Sequence, residues 1–356
     1  MTLDKIVSPQ PFMKSIFTVA FLLITFSSFS QYGGSYTYAY LNLPTSARNA
    51  ALGGMNITTF DYDVNFTYQN PALFNSAMDG RLSISNAFIP AGINSGSIAY
   101  AKYFDGIKTT MGGGLLYRAY GTFEMTDLNG DRLGSFTAGE YALHWGAAYG
   151  EDRLRYGVNA KLLYSQLESY NSFGIAADIG ALYIDTAKRF SMSLVMRNIG
   201  SQIDPFIADN YEQIPYQINF GISKRLAHLP LRLSFTLHDL QTFDIRYDDP
   251  DLASNAGIFG TDSTTEVKNY TVDKIARHLN IGGEFYFGKA VMARVGYDHM
   301  KRKELSVETN RGMTGFSLGF GIKINKYYID YAHEFTSIAG GNNMITIGTD
   351  LNSFLK

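Results

Sequence analysis

Cysteine is absent from this 356-residue chain, tryptophan occurs once, and only 17% of residues are charged. No cysteine means no disulfide, no thiolate nucleophile and no thiolate metal site. A formal net charge of -2 provides no basic footprint for nucleic acid. Beyond residue 30 no apolar run approaches the roughly 18 residues that a membrane-crossing helix needs. If the mature chain enters a membrane, it must do so as a closed barrel, because only closure satisfies every backbone group in lipid. What is present fits that form: 25 Tyr, 25 Phe and 35 Gly suit a sheet-rich protein with glycines at turns and on a crowded inner face.

The first thirty residues read as a leader. Lys14 precedes Ser15 to Phe26, an apolar stretch, and the small residues Ser27, Ser28 and Ser30 follow. This is the charge, apolar core and cleavage pattern of a secretory signal peptide. Cleavage is expected near Ser30, leaving Gln31 first, and Met13 is a candidate for the true start.

From residue 81 onward the chain alternates. In residues 153–166, Tyr156, Val158, Ala160, Leu162 and Tyr164 are apolar, while Arg155, Gly157, Asn159, Lys161 and Ser165 between them are polar or small. Successive side chains of a strand point to opposite faces, so this is a ribbon with one apolar and one wet side. Phe316, Leu318, Phe320, Ile322 and Ile324 oppose Gly315, Ser317, Gly319, Gly321 and Lys323 in the same way. Alternation and turn chemistry together mark about fourteen strands between residues 81 and 351. The connections differ in length. Short joints fall at 104–108, 150–152, 186–188, 226–229, 288–289 and 325–326. Longer ones fall between them, at 126–135, 199–213, 241–275 and 300–311. Short periplasmic turns and longer surface loops are the outer-membrane pattern. The expectation is an all-β, antiparallel transmembrane barrel over 81–356, with both termini periplasmic and loops at the cell surface.

Residues 31–80 break the alternation. Thr45-Ser-Ala-Arg-Asn-Ala-Ala-Leu52 carries a cap and helix formers, with Gly53-Gly54 as the stop. Asp61 to Asn65 and Asn70-Pro-Ala-Leu73 read as turn-rich coil. Such a segment ahead of a barrel is a periplasmic lead or a lumen plug, and the plug is favoured. Its marker residues are Arg48, Gly53, Gly54, Asn70 and Pro71.

Chemistry-bearing motifs reduce to structural ones. Gly315-Phe-Ser-Leu-Gly319 matches G-x-S-x-G but continues an alternating strand, whereas the nucleophile pattern needs a sharp strand-to-helix turn. Asp127-Leu-Asn-Gly-Asp131 begins like a calcium loop, but Arg132 and Ala138 occupy the positions that need Gly and Glu. Six histidines, at 144, 228, 238, 278, 299 and 333, lack metal-ligand spacing. No catalytic residue, metal site or cofactor is therefore expected. Two polar sets remain. Lys161, Asp178, Arg197, Glu284, Arg294 and Asp330 fall on inward faces, where nearly balanced signs favour a paired network over an ion-selective ring. In the longest loop, Tyr247, Asp248, Asp249, Asp251, Asp262 and Glu266 form an acidic stretch that is either a solvated loop or a partner contact.

The block Leu41-Asn-Leu-Pro-Thr-Ser-Ala-Arg-Asn-Ala-Ala-Leu-Gly-Gly54, with Asp61 to Asn65 and Asn70-Pro-Ala-Leu73, resembles the PorV/PorQ family of the type IX secretion system. That family is distantly similar to the FadL-type fatty-acid channels. Weaker echoes are Arg197-Asn-Ile-Gly200, Ile214-Pro215, Gly283-Glu-Phe285 and Asp330-Tyr331. The resemblance implies a non-enzymatic outer-membrane protein of the Bacteroidota that holds a PorZ-like surface protein. PorU and PorV would act in the same complex, which links exported cargo to lipopolysaccharide. The alternatives are a FadL-like transporter of hydrophobic ligands and a PorV-like cargo shuttle. An outer-membrane hydrolase lacks a Ser, His and acid set on one face.

Overall fold

A computed structural model describes residues 36–151, 153–245, 271–306, 312–337 and 340–354. The leader reading of residues 1–30 lies outside them. Fourteen antiparallel strands close into one barrel. In chain order they are β1 Arg81–Phe88, β2 Asn94–Phe104, β3 Thr109–Thr126, β4 Arg132–Glu151, β5 Leu154–Leu167, β6 Tyr170–Asp185 and β7 Phe190–Asp204, followed by β8 Gln217–Arg225, β9 Leu231–Leu237, β10 Leu279–Phe287, β11 Val291–Asp298, β12 Phe316–Ile324, β13 Tyr327–Ser337 and β14 Gly340–Asp350. Each strand pairs with its neighbours in sequence, and β1 closes on β14 from Arg81↔Asp350 to Phe88↔Asn343.

Alternation appears as burial. Tyr156, Val158, Leu162 and Tyr164 of β5 are exposed on the outside, while Asn159, Lys161 and Ser165 are buried within. Trp145, Ile179, Leu194, Phe320 and Ile347 continue the apolar outer face on other strands. An apolar exterior around a polar interior inverts the arrangement of a soluble domain and matches a barrel set in lipid.

Two connections expected to be long are shorter than the sequence suggested. The 126–135 joint is strand up to Thr126 and again from Arg132, leaving a five-residue turn (127–131) in which Asp127 Oδ1 accepts from the backbone N–H groups of Asn129 and Asp131. The 199–213 joint begins as strand, because β7 runs on to Asp204 along β6. Polar, glycine-rich residues read as loop in sequence, but cross-strand hydrogen bonding continues through them. At this end β3 and β4 reach 18 and 20 residues, against the 9–11 or so that span a bilayer. One wall therefore projects.

The lumen is filled by residues 36–79. Ser46 caps α1 (Ala47–Ala51), accepting from the Asn49 N–H at 3.2 Å. Gly53 and Gly54 stop the helix with φ of +92° and +95°, a region open to glycine at little cost. The coil read at 61–65 and 70–73 is locally ordered. Asp63 and Asn70 each cap a short 3-10 turn, Val64–Tyr68 and Pro71–Leu73. Thr45 to Thr59 and Asp63 to Asn75 are buried throughout.

The segment leaves the lumen at Gly80, whose N–H bonds Ala101 O and whose carbonyl accepts from Leu351 N. Toward the opposite end, Thr37 N bonds Gln213 O in the β7–β8 connection. Strand parity places the start of β1 and the end of β14 at one rim. The filling segment then carries the described N-terminal end towards the other, a separation that strand counting does not capture.

Candidate functional site

The six inward charged residues divide into two clusters, each completed by the lumen segment. In the first, β6 and β7 lose register between Ala177 and Ile179, and Asn198 takes a left-handed φ of +56°. That bulge turns the Asn198 N–H onto Asp178 Oδ1 at 2.8 Å. Lys161 Nζ then sits 2.8 Å from both Asp178 Oδ2 and Asn198 Oδ1. Arg197 spends its guanidinium on Gln217 and on the carbonyl of Leu41, at 3.0 Å each. Tyr68 lies under both cations, 4.3 Å from Lys161 Nζ and 5.7 Å from the Arg197 guanidinium carbon.

The second cluster is centred on Arg48 of α1. Its guanidinium donates to both oxygens of Glu284, at 2.9 Å each, to Asp61 at 2.7 and 3.1 Å, and to Asp63 at 3.4 Å. Glu284 also accepts from Arg294 at 2.7 Å, and Arg294 reaches Asp330 at 2.5 Å. Arg232 approaches Asp61 at 3.2 Å, and Tyr286 donates to Glu284. Three arginines thus meet four carboxylates. A buried charge is tolerable only when paired and hydrogen-bonded, and each of these has a partner.

Close packing continues the attachment. A Cβ on Gly157 would lie 2.3 Å from the Pro71 carbonyl carbon, and one on Gly180 2.2 Å from Asn70 Oδ1. Asn70 Nδ2 bonds Ile57 O and Ser193 Oγ at 2.7 Å each. A Cβ on Gly296 would meet Gly53 N at 2.1 Å. Glycine on the inner wall is where the backbone of the segment lies flush against the barrel.

The acidic loop residues Tyr247, Asp248, Asp249, Asp251, Asp262 and Glu266 lie outside the described residues. Sequence reasoning grouped the six lumen charges but missed the carboxylates Asp61 and Asp63 as partners of Arg48, along with the role of Arg232. An unpaired arginine in α1 followed by Asp61-Tyr-Asp63 was the signal available. Ser317 of the G-x-S-x-G match lies in β12 and accepts from the Gly53 N–H at 3.2 Å. Among the described residues no group of three or more His, Asp or Glu side chains is placed to hold a metal.

No family model and no curated protein matches the chain. Among solved structures it is similar to the P. putida toluene transporter TodX, with 11% identity and a TM-score of 0.50 over 87% of this chain and 99% of that one. A deltaS2S3 mutant of the TodX monoaromatic hydrocarbon channel gives 12% identity and a TM-score of 0.52 over 86% and 99%. At such identity the likeness shows the fold alone, a closed antiparallel β-barrel.

Proposed function

We propose that this protein is a non-enzymatic, PorQ-like component of the type IX secretion attachment complex. In this reading it anchors a PorZ-like surface protein beside PorU and PorV while cargo is joined to lipopolysaccharide, with its long loops at the cell surface. The observation that carries the reading is the lumen segment, welded to the wall by two buried ionic clusters and by backbone-to-glycine contacts. A rigid, filled barrel suits a pedestal, and function then falls to the projecting rim. Within the family the Ala-Leu-Gly-Gly54 ending favours PorQ over a PorV-like shuttle.

The test is co-purification from detergent-solubilised outer membranes with mass spectrometry. A PorZ-like protein should elute with the intact chain, and deleting residues 248–266 should release it into the medium while the barrel stays folded. Retention by the deletion variant would remove the loop assignment. The second reading, transport of an apolar ligand past a movable hatch, rests on the likeness to TodX, itself described as a toluene transporter. Liposome flux of such a ligand would favour it.

A further inference from the structure

A cavity of about 180 Å³ opens at the rim that carries the short turns, between Phe60 of the lumen segment and the ends of β6 to β9. Three arginines line it, Arg189, Arg225 and Arg232. Strand register explains why they share a wall. Phe190 of β7 stands opposite Lys224 of β8, and the Arg225 N–H bonds the Arg189 carbonyl at 3.0 Å. Arg225 in turn stands directly opposite Arg232 of β9. The three therefore form one row across neighbouring strands, where like charges placed opposite one another are destabilising.

The charges of this row are unevenly met. Arg232 is largely buried and donates to Asp61 at 3.2 Å, so it belongs to the Arg48 cluster. Arg189 and Arg225 are exposed, and among the described residues neither guanidinium meets a carboxylate. Tyr286 lies 4.5 Å from the Arg225 guanidinium carbon and 5.7 Å from that of Arg232, measured to the ring centroid. A neutral ring draws two cations together without cancelling either charge.

The other polar groups of the wall are engaged. Asp185 accepts from Lys188 N at 2.9 Å and pairs with Arg153 at 3.6 Å and Lys188 Nζ at 3.9 Å. Ser191 Oγ donates to the Thr58 carbonyl, and Ser223 bonds Ser191. The free donors are thus the guanidinium groups of Arg189 and Arg225, with Arg232 behind them. A phosphate monoester presents three terminal oxygens and close to two charges, against two oxygens and one charge for a carboxylate, and guanidinium forks match it in geometry. We propose that this arginine row binds a phosphate monoester group. The site lies at the rim opposite the long connections and requires no movement of the lumen segment, so it is independent of both readings above.

The probe is inorganic phosphate, titrated into the full chain in dodecyl maltoside micelles and followed by phosphorus NMR line broadening. Saturating phosphate should also slow phenylglyoxal modification of Arg189 and Arg225, read by mass spectrometry, and leave Arg132 on the opposite rim unaffected. Acetate at matched ionic strength should protect at least about tenfold more weakly. Arg189→Gln/Arg225→Gln removes the two unpaired cations, keeps Arg232 on Asp61, and should weaken phosphate binding about tenfold or more. Heat-modifiable gel mobility checks that this variant is folded.

Dihexanoyl phosphatidic acid, used as the protectant in place of inorganic phosphate, distinguishes the sources. Protection at lower concentration upholds the site with a lipid headgroup as its ligand; protection at equal or higher concentration upholds it with a soluble phosphate. Absence of protection by both phosphates, acetate as effective as phosphate, or unchanged affinity in the folded variant would overturn the proposal. If the variant does not fold, protection of the native arginines decides.

Discussion

Arg48 is the residue on which the lumen segment turns. Replacing it with alanine leaves Glu284, Asp61 and Asp63 with fewer cations and no bidentate partner. Removing one member of a buried ion pair costs roughly 3–5 kcal/mol, so Arg48→Ala should lower the guanidinium midpoint in micelles by that equivalent. Arg48→Lys keeps the charge but loses the fork, and should recover only part of it. Gly157 makes a different kind of demand. A methyl group there enters space held by the Pro71 backbone, and overpacking of this sort costs about 1–3 kcal/mol. Gly157→Ala should therefore loosen the segment, seen as faster protease cleavage within 36–80 and larger single-channel conductance in planar bilayers.

At the scale of elements, the rim helices α2 (Thr271–Arg277) and α3 (His299–Glu304) are joined by charge. Asp273 pairs with Arg277 at 3.0 Å and with Lys303 of α3 at 2.9 Å. Burial opposes the Asp273 charge, but the hydrogen bonds and charges of Lys303 and Arg277 outweigh it and hold the carboxyl down to about 2. A folded-state value below the unfolded one of about 3.9 stabilises the contact at pH above that value, and the gain is lost as pH falls towards 2. Amide protection factors in α2 and α3, which correct for the intrinsic slowing of exchange at low pH, should fall below about pH 4 in the native chain. Asp273→Asn should show faster exchange already at neutral pH and a flat profile.

For the molecule as a whole, pedestal and transporter differ in whether the lumen segment must move. The absence of cysteine makes a tether clean. Ala47 N bonds Thr346 Oγ1 at 2.8 Å, which places α1 beside β14, and Ala47→Cys/Thr346→Cys can be oxidised or reduced at will. The anchoring reading expects partner retention to be equal in both states. Transport through a movable hatch expects ligand flux only after reduction. Equal flux in both states would show that this hatch is not the gate.

The local code was the legible part. Period-two patterning over segments such as 153–166 and 316–324 determined strand, face and the apolar exterior, because a lipid-facing wall imposes its pattern on every second residue. The cap and the glycine stop around α1 were equally local. Strand ends were less so, since polar residues such as those of 132–135 stay in the sheet when a neighbour supplies the hydrogen bonds. The partners of Arg48, the Asp178–Asn198 bulge and the cavity beside Arg225 join residues tens to hundreds of positions apart, and no periodicity records such pairings. The sequence by itself determined a membrane barrel with charged residues turned inward. Only the tertiary structure decided which charges meet and that the N-terminal segment fills the lumen, because barrel closure brings distant strands and that segment into contact.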